Sequence, residues 1–167
     1  MKIFINPGHG GSDPGAVGNG LKERDVVLKI GKRVEQYLLA VGYDVRLFQY
    51  DGPAEICDAA NYWDADLFVS IHANAANGWA RGTEVFYVSE YGWRPASKIY
   101  KQLINTIALV QRGIKQTDNL YVLNHTDMPA VLVETAFIDN PQDAALLVNE
   151  EDNFARAIAR GISDCFS

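Results

Sequence analysis

Only two cysteines, Cys57 and Cys165, occur among 167 residues. They are far apart and lack the short spacing of a zinc finger or a redox pair. Both fall in predicted helices among alanines and aromatics, so they read as small, reduced, buried residues. No apolar run reaches the length needed to cross a bilayer, so no membrane association is expected. Positive charge is the minority sign: 15 Lys and Arg against 21 Asp and Glu, a net charge of -6. With no basic stripe to neutralise phosphates, nucleic acid is not an expected partner. A polymeric partner would have to be held by shape and polar contacts. Internal repeats, low-complexity tracts and linkers are also missing, so residues 1–167 are expected to form a single domain, as a monomer. The N-terminus shows no signal-peptide pattern, because Met1 leads straight into an apolar strand, Lys2 to Asn6.

What is present is an alternation of strand and helix signals. Ile3 to Asn6 is a short apolar run ended by Pro7-Gly8. Val27, Ile30, Val34, Leu38 and Val41 recur every three or four residues, which predicts an amphipathic helix closed by Gly42. Asp44 to Phe48 reads as a second strand, and Pro53 opens a helix through Ala60. Leu67 to Ile71 is apolar throughout, as a strand covered on both faces should be. Gly82 to Val88 is rich in β-branched and aromatic residues and reads as a fourth strand. Pro95 is expected to start a helix with Ile99, Leu103, Ile107 and Val110 inward. Leu120 to Leu123 reads as a short edge strand and Ala130 to Glu134 as the last central strand. Pro141 to Leu147 and Phe154 to Ile162 read as helices. This order predicts a three-layer α/β/α domain with a mostly parallel, mixed central sheet of about six strands.

Open α/β sheets bind ligands beyond the carboxyl ends of their strands. There the first strand offers Asn6-Pro7-Gly8-His9-Gly10-Gly11, the third Ser70-Ile71-His72-Ala73-Asn74, and the last Val133-Glu134-Thr135. The glycine-rich loop lacks a Gly-Lys-Ser/Thr ending and runs into Asp13-Pro14, which argues against a nucleotide cradle. His9 or His72 alone would read as a hydrogen-bonded structural histidine. Two histidines at strand ends, with a carboxylate between them in sequence, read instead as zinc ligands that leave one position open for water. Glu134, a charge at the end of an apolar strand, needs a reason to be there. It has the type and place to move the proton of such a water. The third ligand could be Glu23 or Asp25, both at the start of the first helix, where the helix dipole also favours acids without any metal.

These segments resemble a known family, the zinc-dependent N-acetylmuramoyl-L-alanine amidases of cell-wall lysis with a His-Glu-His zinc site. Asn6 to Gly11 with Asp13-Pro14-Gly15-Ala16 is similar to that family's first metal loop. Lys22-Glu23-Arg24-Asp25-Val26-Val27-Leu28 is similar to its helix start. Asp66 to Ala75 resembles its third motif. Asn119 to Leu123 followed by Met128 to Glu134 resembles its closing motif. The likeness runs from about Ile3 to Ile162. It implies one Zn(2+) per chain held by His9, Glu23 and His72, with Glu134 as general base. The implied reaction is hydrolysis of the amide between N-acetylmuramic acid and L-alanine in peptidoglycan by metal-bound water. Three departures stand out: Asn6 where the family often has aspartate, Ala136 where glycine is usual, and Asp58 where arginine commonly precedes the Ala60-Asn61 pair. None removes a ligand. The stretch from Asn74 to Met128 is too short for the extra inhibitory helix of division-linked members, which implies an open site.

Asn74 and His125 are the candidate substrate contacts. His125 lies in a predicted loop, and as a fourth ligand it would displace the water that hydrolysis needs. Trp79, Tyr91 and Trp93, also in predicted loops, are candidates for a glycan groove, although such residues more often serve packing. Two rival readings are a zinc peptidase cutting within the stem peptide and a wall-binding module without catalysis. Two settings are compatible with the N-terminus. The chain is cytoplasmic until lysis of a phage host or mother cell releases it, or it is a catalytic domain cut from a secreted wall protein.

Overall fold

The computed structural model describes residues 1–167. The chain runs β1 (Lys2–Pro7), β2 (Val17–Gly18), β3 (Leu21–Lys22), α1 (Glu23–Ala40), β4 (Asp44–Leu47), α2 (Pro53–Tyr62), β5 (Leu67–Asn74) and β6 (Thr83–Tyr87). It continues through α3 (Glu90–Thr106), β7 (Gln111–Gln116), α4 (Tyr121–Asn124), β8 (Ala130–Phe137), α5 (Pro141–Asn149) and α6 (Glu151–Cys165). Six strands form one sheet in the order β4-β1-β5-β8-β6-β7, and β2 and β3 form a separate small hairpin. β4, β1, β5 and β8 are parallel. β6 reverses direction against β8, and β7 runs parallel to β6. The expected three-layer α/β/α architecture with a mixed, mostly parallel sheet is what forms.

The pleat sorts the apolar residues between two faces. Ile3, Ile5, Val69, Ile71, Val131 and Val133 join Val27, Ile30, Val34, Leu38, Ile99, Leu103 and Phe154 in the larger core. This is the face that α1, α3 and α6 cover. Phe4, Phe68 and Leu132 point the other way, into a smaller cluster closed by Ile56 and Ala60 of α2 and Leu123 of α4. Alternation puts Ser70 and His72 on that second, thinly covered face, in line with Phe68. The carboxyl ends of the strands are therefore open on one side. No helix is long and apolar enough to cross a membrane.

Several elements differ from expectation. Leu120 to Leu123 is not an edge strand: the short helix α4 forms there, and the sheet's edges are β4 and the unforeseen β7. Its sequence, Gln111-Arg112-Gly113-Ile114-Lys115-Gln116, is too polar to announce a strand, but an edge needs only one paired side. α3 begins at Glu90, and Pro95 lies inside it. Tyr91 and Trp93 thus belong to the first turns of α3, not to a loop. Gly92 explains the early start, since a Cβ there would lie 3.0 Å from both Ala130 O and Tyr87 Cβ. Packing against β8 and β6 overrides the poor helix propensity of that segment. Val110 lies beyond α3 and is exposed, and Val41, at the C-cap of α1, is exposed as well.

Candidate metal centre

Three donors from three separate segments converge. His9, Glu23 and His72 each offer one ligand atom, all within 4.8 Å of one another. The loop after β1 supplies His9, whose backbone takes a positive φ of 63°. Its turn is held by Gly10 and Asp13, whose backbone N–H groups each donate to the other's carbonyl, at 3.0 and 2.9 Å. Glu23 is the first residue of α1 and only 3% exposed. Its backbone N–H donates to Ala16 O at 2.9 Å, and that of Arg24 donates to Pro14 O at 3.1 Å. These bonds fasten the helix start beneath the His9 loop, and the helix N-terminus favours the charge of Glu23. His72 lies near the end of β5, where the pairing with β8 shifts register between His72 and Asn74. Irregularities of this kind re-aim side chains at sites.

His9 Nε2 is 2.8 Å from Glu23 Oε1, and His72 Nδ1 is 3.8 Å from the same oxygen. The other nitrogen of His9, Nδ1, is 2.7 Å from Asp13 Oδ2, while Asp13 Oδ1 accepts from the Gly15 N–H at 2.9 Å. The hydrogen bond with Glu23 pushes the His9 imidazole up to about 9 against the opposing effect of burial, with Asp13 assisting. Burial pushes the Glu23 carboxyl up, but His72 and His9 outweigh it and leave the group below its usual range. Glu23 Oε2 is buried without any partner. A buried carboxylate that meets two imidazoles through Oε1 and leaves Oε2 unpartnered is the condition a cation relieves. The donor set of two imidazoles and one carboxylate suits zinc and leaves a coordination position open.

Glu134 stands beside this group, in register with His72 on β5 and with Glu84 on β6. Burial, then the charges of Glu23 and Glu84, push its carboxyl up to about 8, with His9 acting the other way. Its Oε2 is buried and also has no partner. Glu84, missed in the sequence reading, is paired with Arg112 at 3.0 Å and Lys115 at 2.5 Å, and accepts from Asn74 Nδ2 at 3.2 Å. So the two carboxylates in the row differ: Glu84 is neutralised from β7, and Glu134 is left free. The Asn74 amide is already engaged by Glu84. His125, by contrast, is not brought to the centre. It caps α4 with its ring stacked on Tyr121 at 3.9 Å, and its Nδ1 is 3.0 Å from Tyr121 O.

A cavity of about 200 Å³ opens beside the histidines, lined by Asn6, Gly8, Asp13, Tyr50, Ile56 and Val122 among others. Trp79 is 85% exposed in the loop after β5. Asp13 and Ser70 also escaped the sequence reading as supports of the two histidines. The signals were there, since Asp13 follows His9 by four residues and Ser70 precedes His72 by the strand period of two.

A family model described as N-acetylmuramoyl-L-alanine amidase matches residues 3–164. The chain belongs to this amidase family. It is 39% identical over 170 residues to the sporulation-specific N-acetylmuramoyl-L-alanine amidase of Bacillus subtilis, an alignment covering 96% of this chain and 65% of that protein. It is 40% identical over 174 residues to the endolysin of Bacillus phage SPP1, covering 95% of this chain and 62% of that one. This amidase-family chain thus spans just under two-thirds of the length of these two curated relatives. Among solved structures, the amidase AmiC2 of Nostoc punctiforme superposes with a TM-score of 0.93 at 35% identity, covering 99% of this chain and 97% of that one.

Proposed function

We propose that the chain is a zinc-dependent N-acetylmuramoyl-L-alanine amidase, with residues 1–167 as its catalytic unit and peptidoglycan as its substrate. The observation that carries this reading is the convergence of His9, Glu23 and His72 beside Glu134, a buried carboxylate with an unpartnered oxygen. Asn74 and His125 remain proposed substrate contacts.

His9 Nε2, Glu23 and His72 Nδ1 would hold the zinc. Bound there, zinc lowers the pKa of water towards about 7 and polarises a carbonyl oxygen. Glu134 takes the proton of the attacking water and hands it to the nitrogen of the departing L-alanine amine. Burial favours its protonated form, which suits the second of these duties, and the charge of a bound metal would favour the carboxylate that the first requires. Glu84 cannot share the task while Arg112 and Lys115 occupy it. The open strand ends and the thin α2 and α4 layer leave room for a glycan with its attached peptide.

The test is digestion of purified wall followed by mass analysis, before and after chelation and after zinc is added back. The reading requires intact muramic acid, new L-alanine amino termini, loss of both on chelation and recovery with zinc. Cleavage inside the stem peptide would make the chain a peptidase, and full activity without metal would remove zinc from the mechanism.

A further inference from the structure

Behind the candidate metal centre lies a second, buried chain of polar groups. Asn6 is 1% exposed and Ser70 0% exposed. They sit in register on the neighbouring strands β1 and β5. Groups this deeply buried find their hydrogen-bond partners within the protein.

The Asn6 amide sets the direction of the whole chain. Its Nδ2 donates to Phe48 O at 3.0 Å and to Pro7 O at 3.3 Å. The reverse orientation would set the amide oxygen against two carbonyl oxygens, so Oδ1 faces Ser70. The Ser70 hydroxyl donates to it at 2.8 Å. A serine hydroxyl has one proton, and here it is spent. Towards His72 Nε2, 3.0 Å away, Ser70 Oγ can therefore only accept. On the neutral His72 ring the proton is then on Nε2, and the lone pair on Nδ1, which faces Glu23 Oε1 at 3.8 Å, too far for a hydrogen bond.

We propose that Asn6 and Ser70 are positioning residues that lock His72 in the Nε2–H tautomer and make its Nδ1 the metal donor. His9 is arranged the other way, with Nδ1 on Asp13 and Nε2 towards Glu23. The two imidazoles thus contribute different nitrogens, one oriented by a carboxylate and the other by a neutral relay. Gly8 adds a steric support: its position for a Cβ is only 2.6 Å from His72 Nδ1 and 2.7 Å from Nε2. Turning the ring over would also take Nε2 away from Ser70. The Asn6 side chain fixes the direction of the relay because its nitrogen donates to the two carbonyls and its oxygen can only accept from Ser70.

The consequence for zinc rests on the proposed function, but the tautomer does not. Long-range 15N–1H spectra of histidine-labelled protein read it directly, both zinc-loaded and metal-free at alkaline pH. His72 should show a protonated Nε2 and a bare or metal-bound Nδ1. Ser70→Ala should let the ring sample both tautomers and should weaken zinc binding by about 10- to 100-fold in chelator competition, the usual cost of losing a partner behind a metal ligand. Asn6→Ala should do the same in part. A wild-type ring with its proton on Nδ1 overturns the inference, whatever the variants do. So does Ser70→Ala with both an unchanged tautomer and unchanged affinity. Wall hydrolysis by a protein with the wrong tautomer would sink this inference and leave the proposed function standing; the expected tautomer without wall hydrolysis would do the reverse.

Discussion

The His72 ring packs so closely on Gly8 that a Cβ on Gly8 would stand 2.6 Å from Nδ1, the nitrogen turned to Glu23. The same holds on the other side, where a Cβ on Gly15 would lie 2.5 Å from His9 Cδ2. Each imidazole is thus placed by a residue that has no side chain. Gly8→Ala should displace the His72 ring and abolish the zinc binding proposed for this site while leaving the sheet folded. Gly15→Ala should do so at His9 and also pay about 1 kcal/mol for a side chain at a φ of +65°. Metal content and circular dichroism of the two variants check this; full zinc occupancy in Gly8→Ala would contradict it.

Glu134→Gln keeps the shape of the side chain and removes the proton acceptor. It should retain zinc and lose wall hydrolysis by about 100-fold or more. Glu23→Gln should show the opposite order, losing zinc first, because a neutral amide is a poor ligand. Zinc content and turnover of both variants should be measured side by side. Zinc loss in Glu134→Gln with retention in Glu23→Gln would exchange the two roles.

His125→Ala should bind one zinc per chain, as the wild type is proposed to do. The ring is stacked on Tyr121 and bonded at the end of α4, outside the cluster of three donors. A metal analysis showing substoichiometric zinc would place His125 among the ligands.

Burial pushes the thiols of Cys57 and Cys165 up to about 11. Both are free. Near neutral pH each should therefore react with an alkylating agent roughly 100-fold more slowly than in the unfolded chain, since only the thiolate attacks. The sign for stability follows from the direction of the shift. The folded state holds these protons longer, so stability falls as pH rises from the usual thiol range towards about 11. Alkylation rates in native and unfolded protein measure it; equal rates would show that neither thiol is shielded.

Asp143 ties the start of β6 to the end of β8. It is 0% exposed. Its Oδ2 accepts from the N–H of Gly82 at 2.7 Å and of Phe137 at 2.9 Å, and Oδ1 accepts from Arg81 Nε at 3.2 Å. Asp143→Ala would leave two backbone donors and a guanidinium without their acceptor, at a cost of about 3–5 kcal/mol. Chemical denaturation should show the loss in the midpoint, and a change below about 1 kcal/mol would mean that water replaces the carboxylate.

Much of this arrangement was already readable along the chain. Periodicity alone exposed α1 through Val27, Ile30, Val34 and Leu38, and the apolar runs exposed β1, β5 and β8. It could not find β7, because an edge strand with one open side tolerates a sequence as polar as Gln111 to Gln116. Nor could it start α3 at Glu90, where Gly92 lets the helix lie against β8 in defiance of local propensity. Short-range signals report the chain's own preferences, and these two elements obey their neighbours instead.

The same division runs through the site. Sequence by itself determined the cast: His9, Glu23, His72 and Glu134 were named from strand ends and from the family motifs they sit in. Which acid at the start of α1 belongs to the centre, Glu23 or Asp25, was not decidable from residue type, because the helix dipole favours both. In the tertiary structure Glu23 turns inward to the two imidazoles and Asp25 stays outside the cluster, which supports Glu23. Only the fold sets His72, Glu134 and Glu84 in one row across three strands and supplies Arg112 and Lys115 from β7 to neutralise one carboxylate and not the other. Only the fold, too, sets Asn6 behind Ser70. These are contacts between residues dozens of positions apart, and their energies depend on distance and exclusion of water, quantities that exist only once the sheet has closed.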